Sequence, residues 1–152
     1  MPPKVANPRK QFQFGIILPG LDPFLCQKVK SPDLEFEVAE HGDTNFLVKT
    51  AGILKVGMVT LEKISSAVGV DKYISTWMDA IGNTNVGGGA IPSAYKRTML
   101  IEQYSLDGQT VIETLVCSGV WPQKKSGSDF DRKGSENTIE QIEFCVDEAQ
   151  YV

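Results

Sequence analysis

The sequence predicts a mainly β protein, an antiparallel β-barrel or sandwich with one short flanking α-helix. Three observations predict it. In the C-terminal half, residues 97–106 and 109–117 are two β-rich runs joined by Asp107-Gly108. Asp-Gly between such runs signals a hairpin, because both central positions of a type I′ turn need φ > 0. Residues 34–39, 55–64 and 138–146 alternate apolar with polar side chains, the period of a strand. Residues 72–81 alone place apolar side chains at helical spacing: Val70, Ile74, Trp77, Met78 and Ile81.

Taken in order, residues 1–11 are polar and Pro-rich and read as an N-terminal arm, leaving 12–152 as a single domain. Residues 12–18 form a first strand, and the cluster Pro19-Gly20-Leu21-Asp22-Pro23 a turn. A short run over 24–29 ends at Ser31-Pro32. In the next strand Leu34, Phe36 and Val38 share one face, Glu35 and Glu37 the other. His41 to Asn45 breaks it, residues 46–49 resume, and Ala51-Gly52 breaks the chain again. Along 55–64, Val59 and Leu61 oppose Thr60 and Glu62. Asp71 suits a helix N-cap and Gly82-Asn83 a helix end. Gly87 to Gly89 is a flexible connection. Trp121-Pro122 reads as a strand exit, since proline stops sheet pairing and tryptophan brings apolar area to bury. Residues 124–134 read as an exposed loop. The last strand places Ile142, Phe144 and Val146 on one face and Gln141, Glu143 and Cys145 on the other. Six or more strands and one helix result.

At 152 residues, 41% hydrophobic and 22% charged, the chain suits one domain with a core of its own. A net charge of -4 argues against a protein that grips nucleic acid through phosphate contacts. No run approaches the ~20 apolar residues of a membrane span, and the N-terminus lacks a signal-peptide core. The expectation is a protein folded in a cytoplasm, with no membrane partner. Cys26, Cys117 and Cys145 are widely spaced and His41 is the only histidine, too few ligands for a zinc site. The thiols are expected to be reduced and to act as small hydrophobes.

Catalytic readings are poorly supplied. Gly87-Gly88-Gly89 follows a helix and lacks Gly-Lys-Ser/Thr, so a mobile connection outweighs a phosphate loop. His41 has Glu40 and Asp43 beside it but no assignable nucleophile. Glu35 and Glu37 lie on one strand face, whereas glycosidase carboxylates flank a sugar from opposite sides. Lys124, Lys125, Arg132 and Lys133 form a modest basic surface, suited to solubility or to a partner's acidic surface. No catalytic residue, metal ligand or cofactor is assigned.

The order of these elements resembles the tail tube proteins of contractile-tailed bacteriophages and, more distantly, the tube proteins of type VI secretion and extracellular contractile injection systems. The resemblance runs over residues 12–148. It rests on the first strand, the loop Gly42-Asp43-Thr44-Asn45, and Ala51-Gly52 leading into Gly57-Met58-Val59-Thr60-Leu61-Glu62-Lys63. It continues through the helix with Trp77, the Asp107-Gly108 hairpin, the Trp121-Pro122 exit and the strand over 138–144. The family loop commonly carries Gly-Gly where this chain has Gly42-Asp43, and the connection containing Gly87 to Gly89 is longer than the family's.

The resemblance implies a barrel subunit flanked by a helix, six of which form a ring, with rings stacked into a hollow virion tube inside a contractile sheath. It implies partners: further copies of the chain, sheath protein, baseplate or tail initiator, tape measure and tail terminator proteins. Genomic DNA would transit the lumen without specific binding, and assembly would occur in the host cytoplasm. Gly42, Asp43, Thr44, Asn45, Lys49 and Lys55, with the N-terminal arm, are the candidate ring-stacking contacts. DNA must pass without sticking, so an acidic or neutral wall is expected, with Glu35, Glu37, Thr60 and Glu62 as candidate lumen-facing residues. Lys124, Lys125, Arg132 and Lys133 are candidates for a sheath-facing or exposed loop. Alternatives are a secretion or injection-system tube, a monomeric barrel with an apolar ligand pocket, and, last, an enzyme.

Overall fold

The computed structural model describes residues 13–19, 26–42, 45–64, 73–82, 89–127, 131–134 and 138–152. The N-terminal arm, most of the Pro19 to Pro23 turn, Asp43, Thr44, the Asp71 cap, Asn83 and the Gly87-Gly88 pair lie outside these residues.

The strands are β1 (Phe14–Ile17), β2 (Cys26–Lys30), β3 (Leu34–Gly42), β4 (Leu47–Val56), β5 (Val59–Ile64), β6 (Arg97–Tyr104), β7 (Val111–Lys125), β8 (Ile139–Cys145) and β9 (Glu148–Tyr151). Helix α1 (Tyr73–Ile81) and a single-turn α2 (Pro92–Tyr95) separate β5 from β6. Seven strands make one antiparallel sheet in the order β1-β6-β7-β8-β5-β2, with β9 also on β7, while β3 and β4 pair only with each other.

The sheet folds over itself because β7 serves both of its halves. Its first part pairs with β6 and β9, its last part with β8. Gly119 sits at the changeover with φ +68°, a conformation that costs residues with a Cβ. A Cβ there would also collide with the Asp147 carboxylate. Asp147 is held beside the corner by its N–H, which donates to Ser118 O at 3.0 Å, and by an ion pair with Lys96. Gly119→Ala is therefore expected to cost roughly 1–3 kcal/mol, read as a lower denaturant midpoint with an unchanged slope.

One core fills the fold. Ile16, Met99, Ile101, Leu115 and Cys117 enter from one half of the sheet, and Val59, Leu61, Ile142 and Phe144 from the other. Ile74 and Trp77 of α1 join them, as the helical spacing predicts. Trp77 lies 5.8 Å from Phe144, centroid to centroid, and its indole N–H donates to Tyr95 O at 2.7 Å. The Arg97 guanidinium rests 4.4 Å from the Trp77 ring centre. Burial raises the Cys117 thiol to about 11, and none of the three cysteines is in a disulfide.

Several local expectations are corrected. Ala51-Gly52 does not break the chain: β4 passes through it. A bulge there sets Gly52 against β3, where a Cβ would come 2.9 Å from Glu37 O, so glycine permits the approach. The continuous run over 55–64 is instead split after Val56, where Gly57 N–H donates to Asp33 O at 2.7 Å. His41 belongs to β3, not to a turn. Pro122 does not end β7. It is buried opposite Phe144, next to a register shift, where a missing ladder donor is tolerated. Lys124 and Lys125 consequently lie in β7 rather than in a loop. A ninth strand, β9, continues beyond the expected end.

The β6–β7 hairpin is present, but its turn is not type I′. Gly108 has φ +73° while no non-glycine residue among those described has positive φ, which excludes Asp107. Gly108 N–H donates to Ser105 O at 2.9 Å and Ser105 N–H to Thr110 O at 2.8 Å, closing a longer loop. The Asp107 carboxylate accepts the Ser105 hydroxyl and the N–H groups of Gln109 and Thr110. Those bonds lower its pKa from 3.8 to about 2. A depressed carboxylate contributes stability above its unfolded pKa and loses it as pH falls through the folded one. The stability difference between wild type and Asp107→Asn is thus expected to be full at pH 5 and to vanish as pH drops from about 4 to about 2. Denaturant titrations across that range measure it.

Candidate functional site

The β3–β4 hairpin leaves the folded sheet as an extension of the β2–β5 pair. β2 leads into β3 through Ser31-Pro32-Asp33, and β4 returns to β5 through Gly57-Met58. A nine-residue strand reaches about 30 Å. Every residue of β3 is exposed, and so is every residue of β4 except Val56.

The alternation read from the sequence holds, yet neither face is covered. Leu34 opposes Val56, Phe36 opposes Leu54 and Val38 opposes Ala51, so one face is apolar from Leu34 to Val38, beyond which Glu40 opposes Lys49. Phe36 is 58% exposed, Val38 61% and Ile53 73%. At the tip Phe46 is 73% exposed, beside Asn45 and Leu47. Contiguous apolar surface of this kind marks a contact with another macromolecule. An isolated two-stranded ribbon is also marginal in water, so a partner would stabilise the hairpin itself. Glu35 faces Lys55 and Glu40 faces Lys49 across the ladder, and Lys55 Nζ lies 2.7 Å from Glu37 Oε1. Such exposed pairs contribute little to stability; they fix register and leave β3 acidic and β4 basic.

The structure brings Gly42, Asn45, Lys49 and Lys55 of the expected contact loop onto this one hairpin. It does not bring the four expected lumen residues together. Glu35 and Glu37 lie on the hairpin, whereas Thr60 and Glu62 lie on β5 in the main sheet. On the outward face of that sheet, one row across the strands reads Lys30, Thr60, Glu143, Lys124, and the next reads Lys28, Glu62, Gln141. The surface around Thr60 and Glu62 therefore mixes both signs instead of being acidic.

The four basic residues also separate. Arg132 and Lys133 are exposed beside a turn closed by Asp131. Lys124 is exposed on β7. Lys125 turns inward, with Nζ 3.4 Å from Glu140 Oε1 and donating to Ser75 Oγ of α1 at 3.2 Å. Glu140 also meets the fully buried Lys63 at 3.3 Å. This network ties α1 to β5, β7 and β8. Among the described residues no group of three or more His, Cys, Asp or Glu is placed to hold a metal ion. No helix there is long and apolar enough to cross a membrane.

Phe36 and Val38 were read from sequence as one strand face, but neither they nor Phe46, Ile53 and Leu54 were taken as contact residues. The signal for them was present in the alternation of β3, but alternation reports which side chains share a face, not what covers that face.

The fold has counterparts among solved structures. The anti-feeding prophage cap, the tube-terminating cap, matches with a TM-score of 0.80 at 21% identity, covering 98% of this chain and 93% of that one. The sheath–tube complex of the PVC extracellular contractile injection system in its extended state matches at 0.78 and 17% identity, covering 97% and 93%. A type six secretion system protein matches at 0.57 and 11% identity, covering 91% and 81%. Likeness at such identity is likeness of fold. A search of curated proteins returned no match. The family model for the T4-like virus tail tube protein gp19 matches residues 10–150, taking in the folded sheet, α1 and the projecting hairpin. With the β-architecture of a tube subunit and sequence agreement over that whole length, this chain belongs to the gp19 tail tube protein family.

Proposed function

We propose that the protein is the inner tail tube subunit of a contractile bacteriophage tail, assembling as hexameric rings that stack into a conduit for DNA ejection. The observation that carries this reading is the β3–β4 hairpin, an apolar arm that finds no cover within its own subunit. A chain of the tail tube family with such an arm has a natural recipient in a further copy of itself. A contact between unlike patches of identical subunits propagates along an axis rather than closing a dimer. Gly42 to Asn45, Lys49 and Lys55 supply the axial contact between rings.

The outward face carrying Thr60 and Glu62 lines the lumen. Glu62 and Glu143 interrupt Lys28, Lys30 and Lys124 on it, so the lysines form no continuous basic track of the kind that holds DNA. Glu35 and Glu37 belong to the stacking arm and contribute to the lumen wall where the arm crosses between rings. Arg132 and Lys133 face the sheath, while Lys124 shares the outward face with Thr60 and Glu143. Baseplate, tape measure and terminator proteins bound the tube in the virion, whose assembly takes place in the host cytoplasm.

A second reading, the tube of a type VI or extracellular contractile injection system, draws support from the fold likeness to proteins of such systems. It differs in cargo, not in assembly. Capsid and terminase genes beside this one would favour the phage tail, and toxin and ATPase genes the injection system.

Negative-stain electron microscopy with size-exclusion light scattering over a concentration series tests the assembly. Annular particles or hollow filaments are expected. A strictly monomeric protein at high concentration, without rings even on purified baseplates, would overturn the reading.

A further inference from the structure

Arg97 opens β6 opposite Val120, at the rim of the fold where α1, α2 and the end of β1 meet. Its guanidinium is half-buried and held by neutral groups. It lies 4.4 Å from the Trp77 ring centre and 5.5 Å from that of Tyr73. Its Nη1–H donates to the Tyr73 hydroxyl at 2.7 Å, and that hydroxyl donates in turn to Pro19 O. Trp77 is itself fixed by its indole N–H on Tyr95 O. Two aromatic rings and a chain of two hydrogen bonds therefore set the plane of the fork.

This cation lacks a counter-charge. The cations with which it can be compared have one: Lys96, its neighbour in the chain, pairs with Asp147, and Lys63 and Lys125 share Glu140. Among the described residues no carboxylate lies within ion-pair distance of Arg97, and Tyr73 occupies one of its N–H donors while the rest of the fork is open. A fully exposed arginine needs no partner, because water carries its charge. Arg97 has given up part of that hydration to Trp77 and Tyr73, and a partly desolvated charge gains most from a hydrogen-bonded partner of opposite sign.

An arginine already fixed on aromatic faces loses little freedom when it binds a carboxylate, and arginine is among the residues that dominate protein interfaces for this reason. The segment leading into it adds open surface: Ile91 is 73% exposed, and Pro92, Ser93 and Ala94 of α2 are exposed as well. We infer that Arg97 anchors a subunit contact, taking an Asp or Glu side chain of a second copy of this chain at the rim between α1 and α2.

The charge balance favours a second copy as the occupant. The chain carries 19 Asp and Glu against 15 Lys and Arg, so a like copy approaches Arg97 with carboxylates in excess. Asp33 and Glu148 are exposed and belong to no ion pair described. Joining this rim to a carboxylate elsewhere on the next copy is a contact between unlike patches, the kind that closes a ring. The inference rests on the assembly reading above and names an anchor separate from the β3–β4 arm.

Two preparations test it, one with ¹⁵N in its arginine side chains and the other with ¹³C in its Asp and Glu carboxyls. They are mixed before assembly, so that dipolar recoupling in solid-state NMR reports contacts between copies alone. A nitrogen–carbon contact of about 4 Å is expected, the spacing across a charge-assisted hydrogen bond. It should vanish when Arg97→Lys replaces the wild type in the ¹⁵N preparation. Independently, Arg97→Gln should raise the critical concentration for assembly at least ~10-fold. Arg97→Lys keeps the charge but not the planar fork and should fall between, with the melting temperature of the unassembled subunit unchanged.

A contact that survives Arg97→Lys, or well-formed tubes with no contact between copies at an arginine, removes the anchor and leaves the tube reading standing. Variants that lower the melting temperature while the critical concentration stays put would make Arg97 a packing residue of α1 and overturn the inference. If wild-type protein does not assemble under any condition, the tube reading falls and this inference with it.

Discussion

Trp77→Ala is expected to destabilise the subunit by about 3–5 kcal/mol, the range for truncating a large buried aromatic. Trp77 is 1% exposed at the centre of the contact between α1 and the sheet. It packs against Phe144, meets Tyr73 edge-on at 6.0 Å and lies under Arg97. Truncation opens a cavity among these groups and strips Tyr95 O of its indole donor at 2.7 Å. For a domain of this size the melting temperature should fall by roughly 10 °C. Trp77→Phe keeps the aromatic contact but not the N–H, and should fall between the two. A loss below about 1 kcal/mol on alanine substitution would mean that α1 does not seal the core as described.

Phe36→Asp and Leu54→Asp should do the opposite: leave the subunit folded and stop it assembling. Both side chains lie on the exposed face of the arm and contribute to no core. Surface changes away from such contacts usually stay within about 0.5 kcal/mol, so the melting temperature of the monomer should barely move. Burying one such side chain in a partner is worth about 1.5–3 kcal/mol, and a buried unpaired carboxylate adds a further penalty. At 1.4 kcal/mol per decade, each substitution should raise the critical concentration ~10- to 100-fold. Light scattering against concentration measures it, with circular dichroism confirming the fold. Assembly at the wild-type concentration would remove the arm from the interface.

The strand order along the chain, the face alternation of β3, β5 and β8, and the helical stripe of Ile74, Trp77, Met78 and Ile81 were readable because each is a local periodicity. So was the family resemblance, which is an order of such elements. Turn geometry was less so. Asp107-Gly108 matches a two-residue turn by composition, yet the carboxylate found three local donors and settled a longer loop. Pro122 and Gly52 looked like breaks, and bulges carried β7 and β4 through both. A bulge depends on the register of the opposite strand, which no local pattern reports.

The candidate surface divides along the same line. The sequence by itself determined that the chain is an antiparallel β protein with one packed helix and that Phe36 and Val38 share a face. Only the tertiary structure decided that this face lies on an arm outside the core, that Glu35 and Glu37 part company with Thr60 and Glu62, and that Lys125 turns in to Glu140 while Lys124 stays out. Hydrophobic periodicity says which side chains face the same way; long-range strand pairing says what, if anything, they face.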